Sequence, residues 1–199
     1  MTEQNETLTE YITANKEILI SKPFANHPTT IGGYINVGQS TKNLMECSDI
    51  LDKFNIKYVP LWGTLLGMYR DGALIAHDTD VDVSIVLDEG DESKLIAALP
   101  SFEKAGLLLT RYWREVILSL TRGGDYIDLY LHRDAGGRKF QGPSYTLTDP
   151  DFSGENTIKF QGKSFCMIQD PEAFFRKFYG SDWKTPIKDL HGSPANETR

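Results

Sequence analysis

Apolar residues follow two rhythms along this chain. Leu44, Met45, Cys47, Ile50, Leu51 and Phe54 keep helical spacing, which predicts a helix capped by Ser40 or Thr41 and ending near Asn55. An amphipathic helix is expected earlier, up to about Lys22, on Leu8, Tyr11, Ile12, Ile18 and Leu19. Between them, residues 23–40 are dominated by Pro, Gly, Asn and Thr and read as a long irregular surface connection. At Ile56 the rhythm changes: residues 56–61 predict a short strand, Gly63-Thr64 a tight turn, and residues 65–70 a helix. Asp78, Asp80 and Asp82 then alternate with Thr79, Val81 and Val83, and the run continues into Ile85, Val86 and Leu87. Alternation places the acids on one face of a strand, and the apolar continuation makes that strand central.

Residues 89–106 predict another helix, ending at Gly106. Three strand-like runs follow, over 107–113, 114–122 and 125–133, with Gly123-Gly124 as a turn, so a meander is expected. Residues 133–144 read as loop or hairpin tip and 156–168 as a further hairpin. Asp170 can cap a last helix with Pro171 at its first position. No repeat or sharp boundary divides the middle of the chain. The expected organisation is a helix and connection over 1–40, a single domain over 41–190, and a frayed tail over 191–199.

With 199 residues, 40% hydrophobic and 25% charged, the chain can bury a proper core. A net charge of −7 without any basic run argues against nucleic acid as a partner. The polar N-terminus lacks the basic start and apolar run of a signal peptide, and no stretch is long enough to span a bilayer. A cytoplasmic protein is expected, without an integral membrane segment, peripheral contact being left open. Cys47 and Cys166 have no CxxC partner spacing and read as buried apolar residues.

The chemistry concentrates between Leu61 and Val86. Residues two apart on a strand lie roughly 6–7 Å apart on one face, so Asp80 and Asp82 can converge on hard cations. Like charges that close on an apolar strand cost several kcal/mol unless cations or donors compensate. Asp128, a single acid among Tyr126, Ile127, Leu129 and Tyr130, needs a partner too: it reads as a third metal ligand, or else as the partner of an arginine. A glycine-led helix N-terminus at Gly63-Thr64 presents backbone N–H groups to an anion, which suits donor phosphate. Arg70, at the far end of that helix, suits phosphate charge, or else pairs with Asp71 or Asp78. Two rivals fail. Asp78, Asp80, Asp82 and Glu89 match EF-hand spacing, but Val83 occupies the position that requires a left-handed glycine. A nucleophilic Ser/Cys-His site on His77 or His132 is discounted, since a lone histidine is more often a hydrogen-bond partner.

On GTLLG (Gly63 to Gly67), Arg70, the HDTDVDV segment, the IDLY strand with Asp128, and the KFQGKSF and FYGSDWKTP stretches, the chain resembles the LicD family, relatives of fukutin and fukutin-related protein within the nucleotidyltransferase superfamily. The resemblance spans about Lys42 to Pro186. It implies an α+β, polymerase-beta-like mixed sheet flanked by helices, with Asp80, Asp82 and Asp128 binding Mg²⁺ or Mn²⁺. It implies transfer of a phospho-substituent, phosphocholine or phosphoalditol, from a CDP-linked donor to a glycan hydroxyl. Where the family usually has an aromatic residue and an acidic doublet, this chain has His77 and Asp78-Thr79, a departure that bears on substrate rather than metal. Lacking a membrane stem and a zinc cysteine set, the chain compares with the eukaryotic relatives in the catalytic core alone. Alternatives are nucleotidyl transfer to a protein, small molecule or RNA, and a non-catalytic metal- or nucleotide-binding regulator.

Overall fold

The computed structural model describes residues 6–15, 33–88, 91–136 and 139–186. The second half of the first expected helix, most of the connection after it, Glu89 and the tail lie outside the described residues. The helices are α1 (Leu8–Ala14), α2 (Val37–Lys53), α3 (Trp62–Asp71), α4 (Asp91–Lys104) and α5 (Pro171–Tyr179). The main sheet holds β1 (Lys57–Pro60), β2 (Val81–Leu87), β3 (Leu108–Trp113), β4 (Ile117–Arg122) and β5 (Asp125–Asp134) in the order β1-β2-β5-β4-β3. Short β6 (Lys139–Gln141) and β7 (Thr146–Thr148) extend it from the end of β5. The hairpin of β8 (Thr157–Phe160) and β9 (Lys163–Cys166) stands as a separate two-stranded sheet.

The expected meander is present: β3, β4 and β5 pair antiparallel in sequence order. Gly123 and Gly124, at φ 66° and 90°, make the tight turn that only residues free of a Cβ adopt without strain. β2 and β5 are the parallel pair, joined through α4, β3 and β4. The helix expected from a Ser40 or Thr41 cap begins earlier, at Val37, because Asn36 caps it by accepting from the Gln39 N–H at 3.0 Å. The buried Asp125 carboxylate also accepts from the Asn36 N–H and, at 2.9 Å, from the Ser40 hydroxyl. A long-range anion at the same helix terminus is invisible to local spacing. The expected Asp170 cap and Pro171 start of α5 are both present.

The two faces of the sheet carry different cores. Val81, Val83, Ile85, Leu118, Leu120, Ile127, Leu129 and Leu131 point one way and pack under α2 and α4 against Leu44, Cys47, Leu51, Leu95 and Phe102. On the other face Val86 joins α3 and α5 through Leu65, Leu66, Phe140, Phe174 and Phe175. β2 is buried along its whole length, the reason its sequence is nearly continuous in β-branched residues. The acids were expected to ride on this strand; Asp82 does, whereas Asp78 and Asp80 precede it.

The GTLLG segment has a packing cause. A Cβ on Gly67 would lie 2.5 Å from the Ala73 carbonyl oxygen, so only glycine lets α3 approach the chain that returns from it. Gly67→Ala gains up to about 1 kcal/mol of helix propensity, but overpacking against backbone costs about 1–3 kcal/mol. The expected outcome is a net loss of stability, read as a lower denaturation midpoint at unchanged m-value.

Candidate active site

Four carboxylates gather where β2 begins. Asp82, in β2, and Asp128, in β5, are direct register partners across the parallel pair. Both are buried, at 6% and 1% exposure. Asp80, one step from the strand, and Asp78 lie close enough that their charges act on Asp82. Asp78 and Asp128 in turn act on Asp80. Desolvation first, then these neighbours, push the Asp80 carboxyl up to about 7 and hold Asp82 well above the usual carboxylate range.

Donors are built around the group. Tyr126 and Tyr130 flank Asp128 on the same face of β5: the Tyr126 hydroxyl donates to Asp80 Oδ2 at 3.3 Å, and the Tyr130 hydroxyl lies close enough to act on Asp82. Burial and the same carboxylates push both phenols up, and Tyr179 of α5 too, which brings that residue to the cluster. Ser119 and Arg111 continue the row across β4 and β3. Ser119 is the register partner of Asp128 and Arg111 that of Ser119, so Asp82, Asp128, Ser119 and Arg111 form one line across four strands. Arg111 Nη2 donates to Asp128 Oδ2 at 2.6 Å, Arg111 Nε donates to Ser119 Oγ at 2.7 Å, and Ser119 Oγ donates to Asp128 Oδ1. The arginine partner that the sequence left open for Asp128 is therefore present, beside its alignment with Asp82.

Other residues singled out from the sequence have structural duties. The Thr64 hydroxyl is buried and accepts from the Asp82 N–H at 2.8 Å, tying α3 to the acidic strand. Gly63 does not supply the left-handed turn; Trp62 does, at φ 51°, with its ring held between Phe174 and Phe178 at 5.3 and 4.8 Å. What Gly63 supplies is space: a Cβ there would lie 2.0 Å from Asp78 Oδ2. The Asp78 carboxylate thus lies against the start of α3. Arg70 turns to Asp71, 2.7 Å away, and to the Trp183 carbonyl, 3.2 Å away. His132 is buried, with Nε2 3.1 Å from Ser84 Oγ and Nδ1 3.3 Å from the Phe140 carbonyl, and burial lowers it to about 4. It is a packed hydrogen-bond partner. Val83 lies within β2, so no calcium-loop conformation forms there.

Sequence reading placed Asp78 in the acidic run but not among the site residues, and it missed Tyr126, Tyr130, Tyr179, Arg111 and Ser119. Alternation about Asp128 exposes the first two tyrosines, Asp78 continues the acidic alternation, and the rest depend on strand register or on α5.

This sheet order, with acids on the central parallel pair and helices on both faces, defines a nucleotidyltransferase-like α+β fold. The solution structure of the antibiotic-resistance factor ANT(2″)-Ia superposes with a TM-score of 0.51 over 78% of each chain at 12% identity, a likeness of fold. More particularly, residues 55–136 match the family described as LicD/FKTN/FKRP, nucleotidyltransferase domain. The mouse ribitol-5-phosphate transferase FKTN is 28% identical over 162 residues, covering 69% of this chain. The chain spans about a third of that relative's length, 32%. No helix among the described residues is long and apolar enough to cross a membrane.

Because the folded Asp80 carboxyl is raised to about 7 from 3.8, the native state holds a proton that the unfolded chain has released between those values. Stability therefore falls as pH rises from about 4 to 7. Metal-free protein is expected to melt higher at pH 5 than at pH 8, and Asp80→Asn to flatten that slope and gain most at pH 8. Melting curves across pH check it; an unchanged slope in the variant assigns the effect elsewhere.

Proposed function

We propose that this domain is a divalent-metal-dependent transferase. It moves a phospho-substituent, of the phosphocholine or phosphoalditol type, from a CDP-linked donor to a glycan hydroxyl. The observation that carries the reading is the register pairing of Asp82 with Asp128, beside Asp80, in a setting that favours uncharged carboxyls. Buried acids raised by burial and mutual repulsion are a site short of positive charge. Hard carboxylate oxygens are the donors that Mg²⁺ and Mn²⁺ take.

Among the described residues, no three His, Cys, Asp or Glu side chains already form a metal cage. Asp128 accepts from Arg111 at Oδ2 and from Ser119 at Oδ1. Asp80 and Asp82 would hold the cation and Asp128 complete the set. When bound, the ion supplies charge neutralisation at the transferred phosphoryl group and its leaving oxygen. The protein orients the acceptor so that its hydroxyl oxygen bonds to the phosphorus bearing the substituent, the bond from that phosphorus to the CMP oxygen breaks, and CMP leaves. The proton of the acceptor passes to the Asp128 carboxylate. The LicD-type segment and the name of the mouse relative support a phosphate-substituent transfer to a glycan. Tyr126 and Tyr130 hold Asp80 and Asp82 in place while this occurs.

Asp80→Asn and Asp82→Asn are expected to abolish turnover with folding nearly intact, because each removes a repelled charge; activity retained in either defeats the assignment. The donor is named by thermal stabilisation with CDP-choline, CDP-glycerol, CDP-ribitol, ATP and GTP, each with and without Mn²⁺. A metal-dependent shift with one CDP compound, lost in Asp80→Asn, is the expected result. A shift only with ATP or GTP would move the reading to nucleotidyl transfer. No shift with any nucleotide or metal would overturn both in favour of a non-catalytic role.

A further inference from the structure

We infer that Arg111 is the residue that grips the donor's phosphate, an inference that rests on the phosphoryl-transfer reading above. The guanidinium is held by one edge only. Nη2 reaches Asp128 at 2.6 Å and Nε reaches Ser119 at 2.7 Å, while Nη1 bonds nothing among the described residues. A guanidinium pinned along two nitrogens is oriented in advance, so the third nitrogen meets an anion at little entropic cost. Its position is set by the strand register that aligns Asp82, Asp128, Ser119 and Arg111, so an anion drawn to the carboxylate group by a cation lies beside it. Among the described residues β3 is an edge strand, paired with β4 alone, and Arg111 keeps 11% of its side-chain surface exposed. Two residues on, Trp113 continues the same face at 42% exposure.

The competing account makes Arg111 only the counter-ion of Asp128. The ion pair is buried on the carboxylate side, where losing one partner would leave an uncompensated charge and threaten folding. The informative variant is therefore Arg111→Lys, which keeps the charge on Asp128 but loses the planar fork and the third nitrogen. Ser119→Ala serves as the partner variant, loosening the guanidinium while leaving its charge.

Inorganic pyrophosphate and CDP are titrated calorimetrically into the protein at saturating Mn²⁺, and Mn²⁺ binding alone is followed by paramagnetic resonance. Arg111→Lys is expected to weaken both phosphates by about ten- to a hundredfold, the range of a lost charge-assisted hydrogen bond, and Mn²⁺ by less than about threefold. Ser119→Ala should weaken phosphate by a smaller factor in the same direction. Phosphate affinity unchanged in Arg111→Lys overturns the inference and leaves the transferase reading standing. A loss of Mn²⁺ affinity matching the loss of phosphate overturns it too, by making Arg111 a support for Asp128. Wild-type protein that binds Mn²⁺ but neither phosphate overturns the inference together with the transferase reading. With a working donor, the same variant should lower kcat/KM while Mn²⁺ activation keeps its midpoint.

Discussion

Negative charge crowded at the start of β2 is the constraint around which this domain is built. Asp78, Asp80, Asp82 and Asp128 act on one another through a sheet whose central strands are shielded from water. A set of carboxylates in such a place resists ionisation, and surrounding dipoles and cations must make up what water would have supplied. Asp78 lies against the first turn of α3, in the position that only Gly63 leaves open. Phenol hydroxyls from β5 reach Asp80 and Asp82, and Arg111 neutralises Asp128 from the sheet edge. Each device comes from a different element, so the cluster holds the elements together while they hold it.

The parallel pairing of β2 with β5 is what brings the acids to one height. Their connection runs through α4 and two further strands, and it returns β5 beside β2 in the register that sets Asp128 against Asp82. The opposite face of the same residues is the main core, where Val81, Val83, Ile127 and Leu129 lie under α2 and α4. A slip by one residue would send acids into that core and valines to the site. Register and chemistry are thus selected by the same apolar packing. The Thr64 hydroxyl adds a local lock, since it engages the Asp82 N–H itself.

Much of this fold can be read from spacing. Alternation marks the acidic strand and the three strands of the meander, helical spacing marks α2, and Asp170 with Pro171 marks α5, because each signal is local and repeats along a few residues. Helix starts are less secure. Asn36, not Ser40 or Thr41, caps α2, and the carboxylate that reinforces that cap comes from Asp125, far along the chain. Within the site, the position of Asp128 among apolar neighbours identifies it as a costly acid. Which cation answers it depends on bond register across two strand pairs, including an irregularity between Leu109 and Arg111, and no sequence period encodes that.

The two arginines show why proximity along the chain misleads. Arg70 stands at the end of the helix that leads into the acidic segment, and its residue type suits phosphate. Yet α3 begins near Asp78 and runs away from it: Gly63, at the start, touches the Asp78 carboxylate, whereas Arg70, a helix length later, meets Asp71 and Trp183. A helix rises about 1.5 Å per residue, so a seven-residue separation carries a side chain's anchor about 10 Å along the axis. Strands in a sheet are only about 4.8 Å apart, so a residue distant in sequence but aligned across two strands from Asp128 lies within reach of one long side chain. Arg111 is such a residue, and its guanidinium spans the strand between through Ser119. Sheet register, rather than sequence neighbourhood, decides which cation shares the site with the acids.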